Sequence, residues 1–443
     1  MISRATSRHE RLEAAIGRIL LARRELRLAV ALAVAVSGFA LVQSLCARLG
    51  MAIYLPESFD SWFDADTVRV FDDISQPTTW LMRAVYHPLF GLFAQALFRA
   101  MAAVRHASTI STVQGVLGLV GAGLLVAFVR LARAFDCGWL DAILFGTLLA
   151  SSASFLYFAP IPETFSMGGA TTLVALAWLV RSGDDWRGDL SSAGAIVSAL
   201  SATTTNAAGP LAFLVATRRW SSIARVAAFS AALLVTLTIV EGRMLPNAGS
   251  RIRSTVSSLA SADGHRDDGA ARRGLRDLIP RVTLVRIGDA IRAFFVHSMV
   301  MPGSAVTPRS AMATRDRGAS FLPSSLPLFS IQESAVGSAC RWGLVAAAGW
   351  LALLGLGMWV SWRRIGEWKV RLVLTSLLVQ LVLHAFVGRE TFLYSLHFLP
   401  LLVLLAALGS TGPAREVVRS WRCSPSWRWP STTVPHSFAM QPR

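Results

Sequence analysis

The chain contains 443 residues, of which 53% are hydrophobic and only 16% are charged. This apolar share, with a mean hydropathy of +0.51, exceeds that of soluble globular domains and excludes that class. The formal net charge of +17 does not indicate a nucleic-acid partner, because the arginines lie between apolar segments instead of along one polar face. The four cysteines lack C-x-x-C spacing, so neither a zinc site nor a redox pair is predicted. The composition therefore predicts a helical membrane protein.

The N-terminal segment predicts an uncleaved membrane anchor. Residues 1–27 are basic, and their apolar residues recur at helical spacing among arginines, which is typical of an amphipathic helix on an anionic cytoplasmic leaflet. The apolar run at 28–49 is too long for a signal-peptide core, and it has the length of about 20 residues that a transmembrane helix needs. We therefore expect this span to carry residues 51–108 to the outer face of the membrane.

Residues 88–105 predict a helix that lies on the outer surface. Pro88 suits the first turn of a helix. The following apolar residues mark one face, while polar residues such as Arg99 interrupt the rest. We expect a juxtamembrane helix, because a crossing at this point would invert every later segment.

The later apolar segments predict an all-α bundle of about 10 transmembrane helices. With helix 88–105 outside, the short cytoplasmic turns hold nearly all loop arginines, whereas the short outer turns hold only Arg389. This distribution agrees with the positive-inside rule and places both termini in the cytoplasm. The expected spans after the first are 109–130, 139–158, 163–180, 190–205, 207–217, 222–241, 338–361, 369–387 and 393–409.

Residues 190–217 are the least regular part of the predicted bundle. The segment is too long for one span and too short for two, and Asn206, Gly209 and Pro210 lie near its middle. We expect a hairpin of two half-helices, because broken backbone at membrane depth must border protein or a wet cavity.

The chain as a whole divides into five predicted parts. The tail is rich in Ser, Pro, Trp and Arg, a composition typical of disorder. The long outer loop is polar and is expected to carry short helices near 283–299. The parts are a basic cytoplasmic segment at 1–27, a transmembrane module at 28–241 that includes outer loop 51–108, a periplasmic loop at 242–337, C-terminal transmembrane helices at 338–409 and a cytoplasmic tail at 410–443.

The strongest local signal is the acidic loop that follows the first span. Five aspartates lie between positions 60 and 73, among aromatic and β-branched neighbours. Asp64 and Asp66 occupy alternate positions, where they can share a divalent cation or a proton, and either can act as general base toward a hydroxyl. A solvated acidic loop has the same composition and stays open as the alternative.

Two further polar residues precede predicted helices on the outer side. His87 stands before Pro88, where it can cap the helix or face a phosphate. Glu163 follows two prolines at the outer start of a span. The helix dipole stabilises a carboxylate there whether or not it has a further function.

The last outer turn also concentrates polar side chains. The spacing i, i+4 and i+7 places three polar residues on one helical face next to Arg389, and these are Glu390, Tyr394 and His397. Tyr394 alone would fit an interfacial aromatic belt. His397, however, enters an apolar span, where ionisable residues are usually functional. We predict that this face and Glu163 form one wall of a cavity opposite the acidic loop.

No motif for nucleotide binding is present in the sequence. Gly115, Gly118, Gly121 and Gly123 lie inside a predicted span, without a strand before them or a Lys-Ser/Thr after them. Close helix packing explains these glycines better than a phosphate loop. A nucleotide-dependent active site therefore has no support.

This arrangement resembles the C-type (GT-C fold) membrane glycosyltransferase superfamily, which includes the protein mannosyltransferase and arabinosyltransferase relatives. In that superfamily an outer loop with an essential aspartate follows the first span, and juxtamembrane helices then open near a His-Pro. The resemblance covers residues 28–241 in layout, although this chain has Asp64-x-Asp66 instead of adjacent Asp-Glu and only one proline after His87. The matching residues are Asp64-Ala65-Asp66, His87-Pro88, Pro162-Glu163-Thr164 and Arg389-Glu390, of which the last two resemble outer-turn positions that help hold the donor.

The resemblance implies transfer of a sugar from a polyprenyl-phosphate donor, with inversion at the anomeric carbon. Asp66 or Asp64 would deprotonate the acceptor hydroxyl, with a divalent cation at this pair left open as a cofactor. Arg389, His87 or Arg69 would offset the charge on the departing phosphate. The acceptor is not identified, and membrane lipids are the other expected partners.

Two other functions fit the same sequence. A transporter or flippase for a lipid or an anionic solute would use the broken segment at 190–217 as part of a path. Ionisable groups would then lie near the midplane and on both sides, whereas here they concentrate at the outer ends of the spans. A non-catalytic subunit of a membrane assembly is the third alternative.

Overall fold

The computed structural model describes residues 2–50, 54, 65–77, 87–183, 185–217, 220–245, 247, 284–303, 305–307, 328–331, 334–338, 340–386 and 391–411. This part of the chain is helical, apart from two strands of three residues each that pair antiparallel. The strands are β1 (Ala305–Thr307) and β2 (Leu328–Ser330). The sequence expectations for the tail beyond residue 411, and for most of the loop at 242–337, lie outside the described residues.

The helices follow the predicted order. They are α1 (Ile2–Leu49), α2 (Thr67–Ser75), α3 (Phe90–Arg105), α4 (Thr109–Ala134), α5 (Trp139–Ala150), α6 (Ala153–Phe158), α7 (Phe165–Leu179), α8 (Trp186–Ala202), α9 (Ala208–Thr217), α10 (Trp220–Met244), α11 (Leu284–Arg292), α12 (Arg341–Arg363), α13 (Trp368–Phe386) and α14 (Ser395–Leu408). Short 3-10 helices at Thr204–Ala207 and Thr391–Tyr394 precede α9 and α14, and a π-helix at Ala293–His297 follows α11.

Six helical segments in the described part are long and apolar enough to cross a membrane. By length and composition the chain is therefore a multi-pass membrane protein, as the sequence predicts. The expected count of about 10 spans is not confirmed, because α5, α7, α8 and α9 fall below this length. The six segments are Glu25–Leu49, Thr109–Ala134, Trp220–Met244, Arg341–Arg363, Trp368–Ala385 and Thr391–Leu408.

Two predicted helix boundaries differ from the structure. The span expected at 139–158 is divided into α5 and α6, because the Ser152 hydroxyl caps α6 by accepting from the Phe155 N–H at 3.2 Å. At the N-terminus, α1 runs without a break through residue 28, so the expected surface helix and first span form one continuous helix.

The glycine-rich stretch of α4 packs against α1. The position of a Cβ at Gly118 is 2.8 Å from the Phe39 ring, and that at Gly121 is 2.8 Å from Val42. Only glycine fits these contacts, which bring the two antiparallel helix backbones close together. The packing role that the sequence predicts for Gly118 and Gly121 is therefore present.

Residues 186–217 form two helices with a break between them, as expected. Trp178 packs on Gly194 and the Ser198 hydroxyl is 3.5 Å from the Thr171 carbonyl, so α7 and α8 are antiparallel. The chain then turns through Thr203 and the 3-10 helix, and α9 descends along α13 with Gly209 against Ser376. Backbone broken in this way lies inside protein, where its polar groups find partners.

A segment of the predicted outer loop packs into the helix bundle. Phe294 stacks on Phe398 of α14, with ring centroids 3.9 Å apart. The Trp350 indole of α12 donates to the Phe295 carbonyl at 2.6 Å, and the Ala153 N–H donates to the Met299 carbonyl at 3.0 Å. The helix expected near 283–299 exists, but its C-terminal part is buried instead of lying on a surface.

Different charged side chains mark the two ends of the bundle. We call the end where α7 begins, with Asp66 and Glu163, the carboxylate end. We call the end where α4 and α7 finish, with Arg130, Arg133 and Arg181, the arginine end. These names are used below without reference to a side of the membrane.

The contact between α12 and α14 predicts a sharp difference between two glycines of α12. A Cβ at Gly357 would overlap the Leu405 carbonyl oxygen, whereas one at Gly355 would meet nothing within 4 Å. Gly357→Ala should lower stability by about 1–3 kcal/mol through overpacking. Gly355→Ala should be neutral or slightly stabilising, since alanine is the better helix former. Thermal unfolding in detergent measures both, and equal melting temperatures would contradict this close approach of α12 to α14.

Candidate functional site at the carboxylate end

Asp66 and Glu163 meet although they are far apart in the sequence. The Glu163 Oε1 accepts from the Asp66 backbone N–H at 2.5 Å, and its Oε2 accepts from the Thr164 N–H at 3.0 Å. Both carboxylate residues are buried, with 2% and 4% of their surfaces exposed. Glu163 thus joins the start of α7 to the residue that precedes α2. The helix dipole of α7 favours a negative charge at this position.

Arg69 supplies a cation beside this pair. Its Nη1 lies 3.3 Å from the Asp66 Oδ2, one turn further along α2. The Arg69 side chain is partly exposed, whereas the Asp66 side chain is buried. The site therefore combines a buried acceptor group with a guanidinium that an anionic ligand can reach.

Burial also affects the acid–base properties of α2 and its neighbour. It raises the pKa of the Asp72 carboxyl, which accepts from the Gln76 amide at 2.9 Å. Burial raises the pKa of the Tyr54 hydroxyl as well, and the Tyr54 ring packs 5.3 Å from Phe71. The Tyr54 ring thus packs on α2, whereas the Asp72 bond lies within that helix.

A second polar group lies next to the start of α7. It is centred on His384 and His397, and we call it the histidine group. The His384 ring stacks on Tyr394, with centroids 5.0 Å apart and planes inclined by 22°. Phe165, two residues after Glu163, packs 5.5 Å from Tyr394 and 5.7 Å from His397. The two polar groups are therefore neighbours across the first turn of α7.

His397 packs directly against the backbone of α7 at a glycine. A Cβ at Gly168 would lie 2.5 Å from the His397 Nε2, so only glycine allows this contact. The histidine is buried, and within the described part neither of its ring nitrogens has a hydrogen-bond partner. Buried polar groups normally have a partner, so His397 is a candidate for binding a ligand.

Side-chain amides connect the break between α8 and α9 to this histidine group. The Asn206 amide donates to the Gly168 carbonyl at 3.1 Å, and the Gln380 amide donates to the Asn206 oxygen at 3.3 Å. His384 Nε2 and Gln380 Oε1 are 3.1 Å apart. Gln380 and His384 were not predicted as site residues, although their i, i+4 spacing within an apolar helix is a usable signal.

His87 contacts the same break from the other side. Its Nδ1 is 2.5 Å from the Ala202 carbonyl and 3.3 Å from the Thr203 hydroxyl. The ring thus binds the C-terminal end of α8, whereas the sequence suggests a cap of α3 or a phosphate contact. His87 is therefore connected to the histidine group through this break, where the Asn206 amide bonds to the Gly168 carbonyl.

The structure brings together six of the nine predicted site residues. Tyr394 and His397 remain adjacent, with ring centroids 6.1 Å apart. The regular helical face expected from 390 to 397 is replaced by a 3-10 helix that ends at Tyr394. The other three predicted site residues are Asp64, Arg389 and Glu390, and they lie outside the described part.

The described residues contain no group of three or more His, Cys, Asp or Glu side chains arranged to hold a metal ion. The cation considered at Asp64 and Asp66 involves a residue outside the described part. The arrangement that is described can accept a proton at Asp66, bind an anion at Arg69 and present imidazole rings nearby.

Comparison of the chain with protein-family profiles, with curated proteins and with solved structures finds no match.

The Glu163 contact predicts a loss of stability for a nearly isosteric substitution. Glu163→Gln leaves one oxygen for two backbone N–H donors and turns an amide NH₂ toward the other donor. We expect a loss of about 1–3 kcal/mol, because a buried donor loses its acceptor. Unfolding monitored by fluorescence-detected size exclusion in detergent measures the effect.

Asp136→Asn is the matched control for this prediction. Asp136 is exposed and has a φ of +66°, a conformation that asparagine tolerates. Its stability should stay within about 0.5 kcal/mol of the unmodified protein. A Glu163→Gln protein as stable as this control would show that the bridge to α2 contributes nothing.

Proposed function

We propose that this protein is a membrane glycosyltransferase that moves a sugar from a lipid-phosphate donor to an acceptor on the outer face of a bacterial inner membrane. The observation that carries the proposal is the buried contact between Asp66 and Glu163. It joins two motifs, far apart in the chain, for which the sequence resembles C-type glycosyltransferases. The adjacent histidine group adds polar side chains at the same end of the bundle.

Asp66 is the general base in this proposal, and Asp64 is the alternative. The carboxylate accepts the proton of the acceptor hydroxyl as the acceptor oxygen attacks the anomeric carbon. The bond between that carbon and the phosphate oxygen breaks, and the electron pair leaves with the phosphate. Attack opposite the leaving group inverts the anomeric configuration.

The charge that develops on the departing phosphate needs a cation. Arg69 lies beside Asp66 and is partly exposed, so its guanidinium can bind the phosphate while Asp66 faces the hydroxyl. Glu163 acts as a positioning residue, because its carboxylate holds the Asp66 backbone. His87, Tyr394 and His397 are proposed to bind the donor, together with Arg389 and Glu390.

A transporter for a lipid or an anionic solute is the second candidate. The observation that favours it is the helix break at 203–207, which is lined by Asn206 and connected to Gln380 and His384. Half-helices of this kind form substrate sites in transporters. The enzyme is preferred because the buried carboxylates, the arginine and the histidines lie together at one end.

Replacing the base tests the mechanism. Asp66→Asn keeps the size of the side chain but removes its basicity, so sugar transfer should fall by a factor of about 10² to 10⁴. The measurement is incorporation of labelled sugar into membrane acceptors from polyprenyl-phosphate mannose, glucose and arabinose. Asp72→Asn is the control, because Asp72 lies on the same helix but bonds to Gln76 instead of facing Glu163.

We expect the Asp72→Asn control to transfer sugar at the rate of the unmodified protein. Undiminished transfer by Asp64→Asn, Asp66→Asn and the double variant would exclude this mechanism and favour transport. Folding of each variant is checked by its elution profile in detergent.

The proposal also fixes the orientation of the chain. The positive-inside rule places the arginine end in the cytoplasm, and the carboxylate end then faces outward. An alkaline-phosphatase fusion at Ser250 should be active, whereas a fusion at Arg187 should be inactive. The opposite pattern would place the carboxylate end in the cytoplasm and remove the basis for a lipid-phosphate donor.

A further inference from the structure

A basic cavity opens at the arginine end, far from the carboxylate site. It encloses about 520 Å³, within the range of about 300–1,000 Å³ that is typical of ligand sites. Helices α1 and α4 form its walls. Trp139, at the start of α5, and Arg181, just after α7, lie at its mouth. Its described lining contains no carboxylate and four arginines, which are Arg27, Arg130, Arg133 and Arg181.

Two of these arginines are fixed by the protein. Arg133 donates to the Cys137 carbonyl, and its guanidinium lies 4.9 Å from the centre of the Trp139 ring. Arg181 donates to the Ala177 carbonyl at 3.4 Å. Both side chains are thereby held at the mouth of the cavity before any ligand arrives, which lowers the entropic cost of binding.

The other two arginines have no such partners. Arg27 and Arg130 are exposed, and within the described part neither forms a hydrogen bond or an ion pair. Two other arginines at this end have acid partners, namely Arg225, 2.6 Å from Asp189, and Arg364, 2.7 Å from Glu367. The described lining of the cavity therefore carries an excess of positive charge, which attracts an anion.

The inner wall of the cavity is apolar. Leu28, Ala31 and Val34 come from α1, and Val126 and Val129 come from α4. Arg133 lies two turns, or about 10 Å, beyond Val126 along α4. The positive mouth and the apolar wall are thus arranged in sequence along the two helices.

The membrane side of this wall is open. Leu28 is 68% exposed, and the α1 span to which it belongs has only 11% of its most apolar window buried in the protein. A helix face of this composition meets lipid chains in a bilayer. A ligand can therefore enter from the membrane as well as from the aqueous side.

We propose that this cavity binds an anionic phospholipid from the leaflet at the arginine end. The phosphate is held by Arg27 and Arg130 with Arg133 and Arg181 behind them, and the upper acyl chain packs on Val34, Val126 and Val129. A soluble phosphate compound would satisfy only the arginines and leave the apolar wall unfilled. Basic pockets between membrane helices are suited to such headgroups. The proposal does not depend on the glycosyltransferase function.

The test uses the full chain, purified and delipidated in detergent. Phosphatidylglycerol, phosphatidylcholine and glycerol phosphate are titrated separately, and bound lipid is counted by native mass spectrometry while thermal stability is recorded. Phosphatidylglycerol should bind and stabilise the protein, phosphatidylcholine should bind more weakly, and glycerol phosphate should compete only at far higher concentration. Competition by glycerol phosphate at equal concentration would overturn the lipid assignment and leave a soluble phosphate as the ligand.

Paired variants locate the site. Arg27→Gln with Arg130→Gln removes the two unpartnered arginines and should weaken phosphatidylglycerol binding about 10- to 30-fold. Arg363→Gln with Arg371→Gln removes two exposed arginines at the same end, outside the cavity, and should leave the affinity within about threefold. Equal losses in the two pairs would overturn the proposal, because they would reflect general charge. If the first pair does not fold, Arg130→Gln alone carries the test, with Arg371→Gln as its control.

Discussion

Backbone groups that leave a helix inside a membrane protein must find partners within the protein, and this requirement organises the bundle. The Glu163 carboxylate accepts from the backbone N–H of Thr164, at the start of α7, and from that of Asp66, which precedes α2. Near the end of α8, the Leu89 N–H donates to the Ser201 carbonyl at 3.1 Å, while His87 approaches the next carbonyl. At the start of α6, the N–H groups of residues 153 and 154 donate to carbonyls of the buried segment after α11. Each of these helix breaks is therefore also a tertiary contact.

These breaks place polar side chains where chemistry is possible. Asn206 lies at the break between α8 and α9, where its side-chain amide bridges α7 and α13. The start of α7 follows two prolines, and there the Glu163 carboxylate bonds both to its own helix and to the residue before α2. Structural need and proposed function thus use the same residues, and a substitution at such a position affects stability and activity together. Matched control variants are therefore essential to separate the two effects.

Periodicity and charge are sufficient to predict the helical class, the helix after Pro88 and the broken hairpin. Each of these depends on local sequence, such as Pro88 before α3 or the polar residues near 206. The division of α5 from α6 was not predicted, because it depends on a single hydroxyl cap at Ser152 and on carbonyls from a distant segment. The burial of Phe294 is not predictable for a related reason: the polarity of residues 242–337 predicts an outer loop, whereas Phe294 stacks on α14.

The candidate site was predictable in part. Asp66, Glu163 and His397 could be singled out because ionisable residues near spans are costly and therefore informative. Their mutual positions could not be predicted, because these depend on how closely the helices approach. Gly168 allows His397 to touch α7, and Gly169 brings the Leu396 carbonyl to a place that a Cβ would occupy. Neither glycine carries any chemical signal of its own in the sequence.

The different pairing of arginines at the two ends has a physical consequence for any anionic amphiphile. At the arginine end, Arg27 and Arg130 have no acid partner in the described part, so a negative headgroup gains full attraction there. At the carboxylate end, Arg69 is already paired with the buried carboxylate of Asp66. An anionic lipid therefore gains less from charge at that end. In the proposed enzyme, the donor phosphate would need additional groups such as the imidazole of His397, whose nitrogens have no partner in the described structure. The two ends thus suit different tasks, since unpaired arginines favour retention of a lipid, whereas a paired arginine beside a base allows a phosphate to arrive and to leave.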